Sequence, residues 1–204
     1  GGPGTGKTTI IKAICELYRR LNKLSYENLF KEVVLLAPTG RASKRISESA
    51  MMPACTIHRF LKWNKENNKF AINEYNKSDA KLVIVDEFSM VDTILFDNLL
   101  NGLRYDTKII LVGDYNQLPS VGPGELLKDM IESNTLNVIE LKQLYRQASN
   151  SNIISLAYQI KENNVDKTIF NKQEDLTFCP VPNENVIKKI IEIFTDEGDV
   201  VIDP

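Results

Sequence analysis

Cysteine is scarce in this sequence, and its placement excludes two classes of small stabilised scaffold. Cys15, Cys55 and Cys179 are the three cysteines among 204 residues. Because they are odd in number and far apart, they can form neither a disulfide framework nor the paired spacing of a zinc site. We therefore predict three buried or neutral thiols.

Long apolar runs are also absent. A membrane-spanning helix needs roughly 18 or more consecutive apolar residues, and no stretch of the sequence approaches that length. The first residues do not follow the charged-then-apolar plan of a signal peptide. These two absences favour a cytoplasmic protein.

An excess of either charge is missing as well. The 25 Lys and Arg residues nearly balance the 27 Asp and Glu residues, for a formal net charge of −2. A protein that binds nucleic acid over a broad face usually has a basic composition. Any nucleic-acid site must therefore be local. The length and the ordinary apolar content of 43% predict one full domain and the start of a second.

Three short apolar runs rich in β-branched residues occupy positions 33–37, 82–85 and 109–112. Each ends in a polar or glycine-containing loop, as buried parallel strands do. Apolar residues at helical spacing lie between the runs, over positions 10–21 and 95–103. This alternation predicts an α/β fold with a parallel sheet flanked by helices.

The rest of the chain carries less regular signals. Apolar spacing predicts further helices over 126–131, 153–160 and 186–194, and a strand over 198–204. The segment 60–76 differs, because aromatic and apolar residues flank a polar centre, which is the pattern of a β-hairpin insertion. An ordinary surface loop with one or two packed aromatics is the alternative.

The first eight residues, GGPGTGKT, fit the phosphate-binding loop pattern G-x-x-x-x-G-K-[ST], and an amphipathic helix follows at once. Glycines let backbone amides close around phosphates, and the helix N-terminus adds partial positive charge. Lys7 would reach the β and γ phosphates of ATP, and the Thr8 hydroxyl would coordinate Mg²⁺. The predicted nucleotide-binding residues are Gly2, Pro3, Gly4, Thr5, Gly6, Lys7, Thr8 and Thr9.

Two acids, Asp86 and Glu87, follow the second apolar run directly. In a phosphate-loop enzyme this arrangement places Asp86 beside the Mg²⁺ ion and Glu87 where it can orient or deprotonate the attacking water. Taken alone, the pair could instead be a helix N-cap and its neighbour. Together with the phosphate loop, it predicts a nucleotide hydrolase.

Gln117 lies in the loop GDYNQLP, which follows the third apolar run at 113–119. Its amide could donate to a γ-phosphate oxygen and accept from water, so it could sense whether that phosphate is present. A lone Gln in a loop would more often be solvated, but the order of strand, Gly-Asp and Gln-Leu-Pro after a phosphate loop and an Asp-Glu pair favours the γ-phosphate role.

Six motifs in order resemble those of the RecD-like helicases of superfamily 1B, the exodeoxyribonuclease V alpha type. They are GGPGTGKTT at 1–9, APTGRA at 37–42, TIHR at 56–59, VDEFSMVD at 85–92, GDYNQLPSVGPG at 113–124 and LYRQ at 144–147. The resemblance implies the first RecA-like motor domain over 1–165, with 166–204 continuing toward a second one. It also implies ATP-driven 5′ to 3′ movement on single-stranded DNA during recombination and repair, and a place for RecB- and RecC-type nuclease subunits as partners.

The resemblance also implies roles for individual residues. It places Thr39, Gly40, Arg41, Thr56 and His58 along the single strand, which suits phosphate contact without base readout. On composition alone, His58 would be a packed or capping residue and Arg41 a solvated helix charge.

Arg146 matches the family's arginine that touches the γ-phosphate, although a surface ion pair is the plain alternative. The 60–76 hairpin matches the insertion that separates strands, with Trp63 or Tyr75 as contacts.

The family pattern extends beyond both ends of this sequence, to a strand before the phosphate loop and to a second motor domain. We therefore expect residues 1–204 alone neither to unwind DNA nor to hydrolyse ATP at a useful rate. Other classes stay open: a phosphate-loop kinase, a nucleotide switch without a nucleic-acid partner, or a degenerate motor kept as a scaffold. Retention of Lys7, Asp86 and Glu87 argues against the last.

Overall fold

The computed structural model of the chain describes residues 1–142, 152–166 and 182. The chain divides into two compact units, Gly1–Ser149 and Asn150–Pro204. The predicted domain boundary near residue 165 stays a prediction.

Strands and helices alternate through the first unit. In chain order they are α1 (Lys7–Leu21), α2 (Tyr26–Glu32), β1 (Val33–Ala37), α3 (Gly40–Ala50), β2 (Ala54–Thr56), α4 (Ile57–Phe60), β3 (Trp63–Asn64), β4 (Lys69–Phe70), β5 (Leu82–Val85), a 3₁₀ helix (Phe88–Met90), α5 (Thr93–Asn101), β6 (Lys108–Leu111) and α6 (Leu126–Glu132). The α/β class and the three predicted strands are confirmed.

A four-stranded parallel sheet in the order β2-β1-β5-β6 forms the centre of this unit. All four residues of β5 are buried, because this strand is internal and both faces of the sheet are covered. Sequence reasoning missed β2, which has three residues and no apolar run. The carboxyl ends of β1 and β2 meet at the pair Ala37 and Thr56.

The core consists of two apolar clusters that share the strands of the sheet. Val83 and Val85 belong to one cluster, with Phe88 and Leu99, whereas Ile84 belongs to the other. Successive strand residues point to opposite faces, so one strand supplies both clusters. Each fully buried Leu, Ile or Phe contributes about 1.5–3 kcal/mol of hydrophobic stabilisation.

The predicted hairpin insertion is confirmed. β3 and β4 pair in antiparallel fashion, with Trp63 opposite Phe70. The base of the hairpin is tied to the domain, because the backbone N–H of Ile72 donates to the carbonyl of Leu61 (3.1 Å), and Leu61 is fully buried. The polar tip is exposed.

The second unit contains α7 (Asn152–Lys161), where apolar spacing predicted a helix. Arg146, the LYRQ motif, the predicted helix over 186–194 and the predicted strand over 198–204 lie outside the described residues. None of the helices in the described part of the chain has the length and apolar character that crossing a membrane requires.

Candidate nucleotide and nucleic-acid site

The loop before α1 has the backbone shape that its glycines predict. Gly4 has φ +75° and Gly6 has φ +83°, both in the left-handed region where a Cβ is strained. Gly6 is the N-cap of α1, so the chain turns directly from the loop into the helix. Thr5 is buried, and its hydroxyl donates to the carbonyl of Gly2 (2.7 Å), which holds the loop closed.

Lys7 folds back over this loop. Its Nζ donates to the carbonyls of Gly1 (2.8 Å) and Gly2 (2.9 Å). An ammonium group has three donors, so one remains for an anion above the loop. The other predicted ligands, Pro3, Gly4, Thr8 and Thr9, are exposed or partly exposed, and a ligand can reach them.

Asp86 lies immediately beyond β5 and is 9% exposed. Its backbone N–H donates to the carbonyl of Leu36 (2.9 Å), and its Oδ1 accepts from the N–H of Glu87 (2.9 Å). Burial raises the pKa of this carboxyl, and the charge of Lys7 works in the opposite direction. Lys7 and Asp86 therefore lie close enough to interact electrostatically.

Glu87 is the most constrained residue of the site. Its φ is +51°, a left-handed conformation that costs a residue with a side chain on the order of 1–3 kcal/mol. Its Oε2 is buried and has no hydrogen-bond partner among the described residues. Burial and the neighbouring charge of Asp86 raise its pKa. A strained backbone and an unpaired buried oxygen are features that concentrate at functional sites.

The end of β6 lies beside these acids. The N–H of Phe88 donates to the carbonyl of Val112 (2.9 Å), and the backbone nitrogen of Gly1 donates to the carbonyl of Gly113 (3.0 Å). A Cβ on Gly113 would lie 3.2 Å from the nitrogen of Ser89 and 2.7 Å from a side-chain carbon of Leu127, so this close approach favours glycine.

Asp114 and Gln117, which follow Gly113, differ in their exposure to solvent. Asp114 is buried and accepts from the N–H of Asn116 (3.2 Å), and its charge contributes to the raised pKa of Glu87. Gln117 is exposed, and its side chain has no hydrogen bond within the described part of the chain. The structure thus brings Lys7, Asp86, Glu87 and Asp114 together as a nucleotide cluster and leaves Gln117 in the solvated state that was its alternative.

Two threonines cap helices at the carboxyl ends of neighbouring strands. The hydroxyl of Thr39 accepts from the N–H of Ala42, and that of Thr56 accepts from the N–H of Arg59, each at 3.2 Å. Each hydroxyl keeps its own O–H as a donor. Gly40 has open space where a Cβ would stand. We call Thr39, Gly40 and Thr56 the threonine edge.

The two charged or ionisable residues predicted near this edge differ. Arg41 is exposed and has no ion pair among the described residues. His58 lies in α4, and its ring is 6.4 Å from that of Trp63 and 5.9 Å from that of Phe70. His58 is thus packed against the hairpin, as its alternative reading held, although it remains exposed. Thr56, not His58, caps α4.

Sequence reasoning missed Arg45, which follows the threonine edge along α3. Its charge acts on the carboxyls of both Asp86 and Glu87, so it belongs to the electrostatic surroundings of the nucleotide cluster. The signal available in the sequence was its position, one turn of helix beyond Arg41.

Comparison with known proteins gives a consistent result. The chain is 38% identical over 158 residues to the ATP-dependent RecD2 DNA helicase of Deinococcus radiodurans, covering 78% of this chain and 20% of that protein. It is 28% identical to the RecBCD enzyme subunit RecD of Buchnera aphidicola subsp. Schizaphis graminum, covering 98% of this chain and 41% of that protein. The chain therefore spans between a fifth and two-fifths of the length of these relatives.

Solved structures show the same fold. The Pif1 helicase of Candida albicans matches with a TM-score of 0.57 at 22% identity, over 97% of this chain and 50% of that one. A Bacteroides Pif1 bound to single-stranded DNA matches with a TM-score of 0.54 at 18% identity, over 96% of this chain and 51% of that one. Residues 1–123 match the family described as AAA domain. The resemblance to the RecD-like helicases is confirmed, and the chain belongs to the AAA domain family.

Proposed function

We propose that this chain is the ATP-hydrolysing motor segment of a DNA helicase that moves 5′ to 3′ on single-stranded DNA. One observation carries the proposal: the nucleotide cluster and the threonine edge lie at the carboxyl edge of one parallel sheet. Ligands of open α/β sheets bind at this edge. A phosphate-loop site and two threonine hydroxyl donors at the edge of one sheet suit a motor that couples ATP to a nucleic-acid track.

The residues of the phosphate loop fit ATP with Mg²⁺. Pro3 and Gly4 of the loop are exposed, the third N–H of the Lys7 ammonium has no hydrogen bond among the described residues, and Glu87, next to Asp86, has a buried Oε2 without a partner there. Residues 2–9 would hold the phosphates, and Thr8 and Asp86 would hold the ion. When bound, Mg²⁺ neutralises phosphate charge and orients the γ-phosphoryl group.

Glu87 is the residue we assign to the attacking water. Its raised pKa makes the carboxyl a better proton acceptor than an exposed glutamate. Gln117 and Arg146 are assigned to the γ-phosphate on the resemblance to the family. Gln117 would have to turn from solvent toward the nucleotide, a change that ligand binding drives in loops of this kind.

The DNA track is assigned to the threonine edge with Arg41 and His58. The free O–H donors of Thr39 and Thr56 and the open space at Gly40 suit backbone phosphates, which carry no sequence information. A local site of this kind is compatible with the net charge of −2. The hairpin would separate the strands; Tyr75 is 90% exposed and Trp63 38%, so Tyr75 is the freer contact.

Two of the related proteins suggest partners. One relative is a RecBCD subunit and one structural neighbour binds single-stranded DNA. We propose single-stranded DNA as the track of this protein, and RecB- and RecC-type nuclease subunits as partners in the cytoplasm. DNA recombination and repair is the process in which such a motor would work.

The ATPase rate of the full-length protein, with and without single-stranded DNA, tests the proposal. Single-stranded DNA should stimulate ATP hydrolysis strongly, and Glu87→Gln should abolish the DNA-stimulated hydrolysis. Glu27→Gln is the matched control, since Glu27 is an exposed glutamate on α2, before β1. Hydrolysis that is indifferent to DNA would reject the helicase and favour a phosphate-loop kinase or nucleotide switch.

A further inference from the structure

A groove runs along the outer edge of the sheet, between α3 and the edge strand β2. Its volume is about 520 Å³. One wall is a stripe of α3 that includes Gly40, Lys44, Ser47 and Glu48. These positions are spaced so that they lie on one face of a helix. We call this cavity the α3–β2 groove.

The second wall continues the threonine edge. It consists of Ala54, Cys55 and Thr56 of β2, with Arg59 of α4. Gly40 and Thr56 thus belong both to this groove and to the threonine edge. The groove is therefore continuous with the track assigned above to DNA phosphates.

The two cations that line the groove are Lys44 and Arg59. Lys44 and Arg59 are exposed, and neither forms an ion pair within residues 1–142 and the other described parts of the chain. Seven other cations in the described residues do form ion pairs, among them Lys31 with Glu27 (2.7 Å) and Lys81 with Asp106 (3.0 Å). An unpaired lysine and arginine in one concave site are suited to an anion.

The groove has a polarity along its length. Lys44 lies one turn from Gly40, at the end shared with the threonine edge, and Glu48 lies one turn further. An anion would therefore sit between the cations and Thr56, away from Glu48.

We propose that the α3–β2 groove binds a backbone phosphate of single-stranded DNA, with Lys44 and Arg59 as its cationic contacts. The inference rests on the proposed function, and it extends the DNA track around the edge strand of the sheet. The oxygens of a phosphodiester would accept from the guanidinium of Arg59 and the ammonium of Lys44, while the base stays outside the groove.

Salt dependence of binding to a fluorescent oligo-deoxythymidine by the full-length protein tests this directly. The logarithm of the association constant falls as the logarithm of the salt concentration rises, and each lost phosphate contact should make this slope shallower by about 0.7. That change is equivalent to about five-fold weaker binding at 0.1 M salt. We expect this for Lys44→Gln and for Arg59→Gln, and tighter binding for Glu48→Gln. The matched control is Lys31→Gln, on α2 before β1. Wild-type slopes in both groove variants would overturn the inference.

Cys55 provides a second measurement without a groove substitution. It lines the groove and is half-buried, and burial raises its pKa, so a thiol reagent reacts with it slowly at neutral pH. Bound oligo-deoxythymidine should slow this reaction further. Mass spectrometry of the labelled protein would measure the modification at Cys55. Equal protection by inorganic phosphate at the same phosphate concentration would identify a free-anion site and overturn the DNA assignment.

Failure of the inference can be told apart from failure of the proposed function. If DNA stimulates the ATPase of the wild-type protein but leaves Cys55 unprotected and the slopes unchanged, the groove assignment is wrong and the motor assignment stands. If the wild-type protein does not bind the oligonucleotide at all, both are wrong.

Discussion

The nucleotide cluster and the threonine edge lie at the same edge of one sheet but differ in burial. Asp86 and Asp114 are 9% and 3% exposed, and Glu87 combines a left-handed backbone with a buried unpaired oxygen. Thr39 and Thr56 lie in ordinary extended conformations, and their hydroxyls already cap helices. Catalytic chemistry needs groups held in a low-dielectric environment, whereas a sequence-independent track needs only accessible donors.

The largest expected effect is on the nucleotide cluster alone. Lys7→Ala removes the ammonium beside the loop, and we expect kcat for ATP hydrolysis to fall on the order of 10²-fold or more. Binding of single-stranded DNA without nucleotide should stay within two-fold, as measured by fluorescence anisotropy. The control is Lys12→Ala on the exposed side of α1. Equal losses of hydrolysis and DNA binding would contradict the separation of the two regions.

Alanine substitution of one glycine in the phosphate loop and one in the threonine edge should change the free energy of unfolding differently. Gly6→Ala forces a Cβ into a left-handed backbone at φ +83° and should destabilise the fold by about 1–2 kcal/mol. Gly40→Ala meets open space at the start of α3, so it should cost nothing and can gain up to about 1 kcal/mol. Urea unfolding of both variants measures the difference. A Gly40 variant less stable than the Gly6 variant would show that the loop is not strained as described.

Removal of a capping hydroxyl sharpens the description of the threonine edge. Thr39→Val and Thr56→Val should each cost about 1 kcal/mol of stability through the lost cap. They should also weaken binding of single-stranded DNA, and Thr→Ser at the same positions should restore both properties. If the Val variants lose stability but bind DNA normally, these hydroxyls are structural caps and do not contact the track.

The smallest effect concerns Cys15 and Cys55, the two thiols among the described residues, which belong to different apolar clusters of the core. Burial raises the pKa of Cys15 on α1 from 9.0 to about 11. A raised thiol pKa means that the folded state binds more protons than the unfolded state between these values. The stability from the buried neutral thiol is therefore present below about pH 9 and lost as pH rises toward 11. Urea unfolding of wild type and Cys15→Ala from pH 8 to 11 should show the difference, whereas Cys15 labelling at pH 8 should be slower than that of Cys55.

The elements that sequence reasoning located correctly are those with a strong local pattern. Residues 33–37 and 82–85 are strands as expected, because a short apolar run rich in β-branched residues is typical of a buried strand. β2 was missed because its three residues carry no such run and pair only through contact with β1. The hairpin was located by its aromatic flanks and polar centre, but the contact between His58 and its rings could not be foreseen.

For the candidate site, the sequence by itself determined which chemical groups are available: a glycine loop, a lysine, two acids and two threonines in a recognisable order. The tertiary structure decided their environment. The left-handed backbone and buried oxygen of Glu87, the pairing of Ala37 with Thr56, and the approach of Gly113 to Ser89 all depend on contacts between residues distant in sequence. Burial and electrostatic interaction depend on distance in space, so no local pattern could specify them.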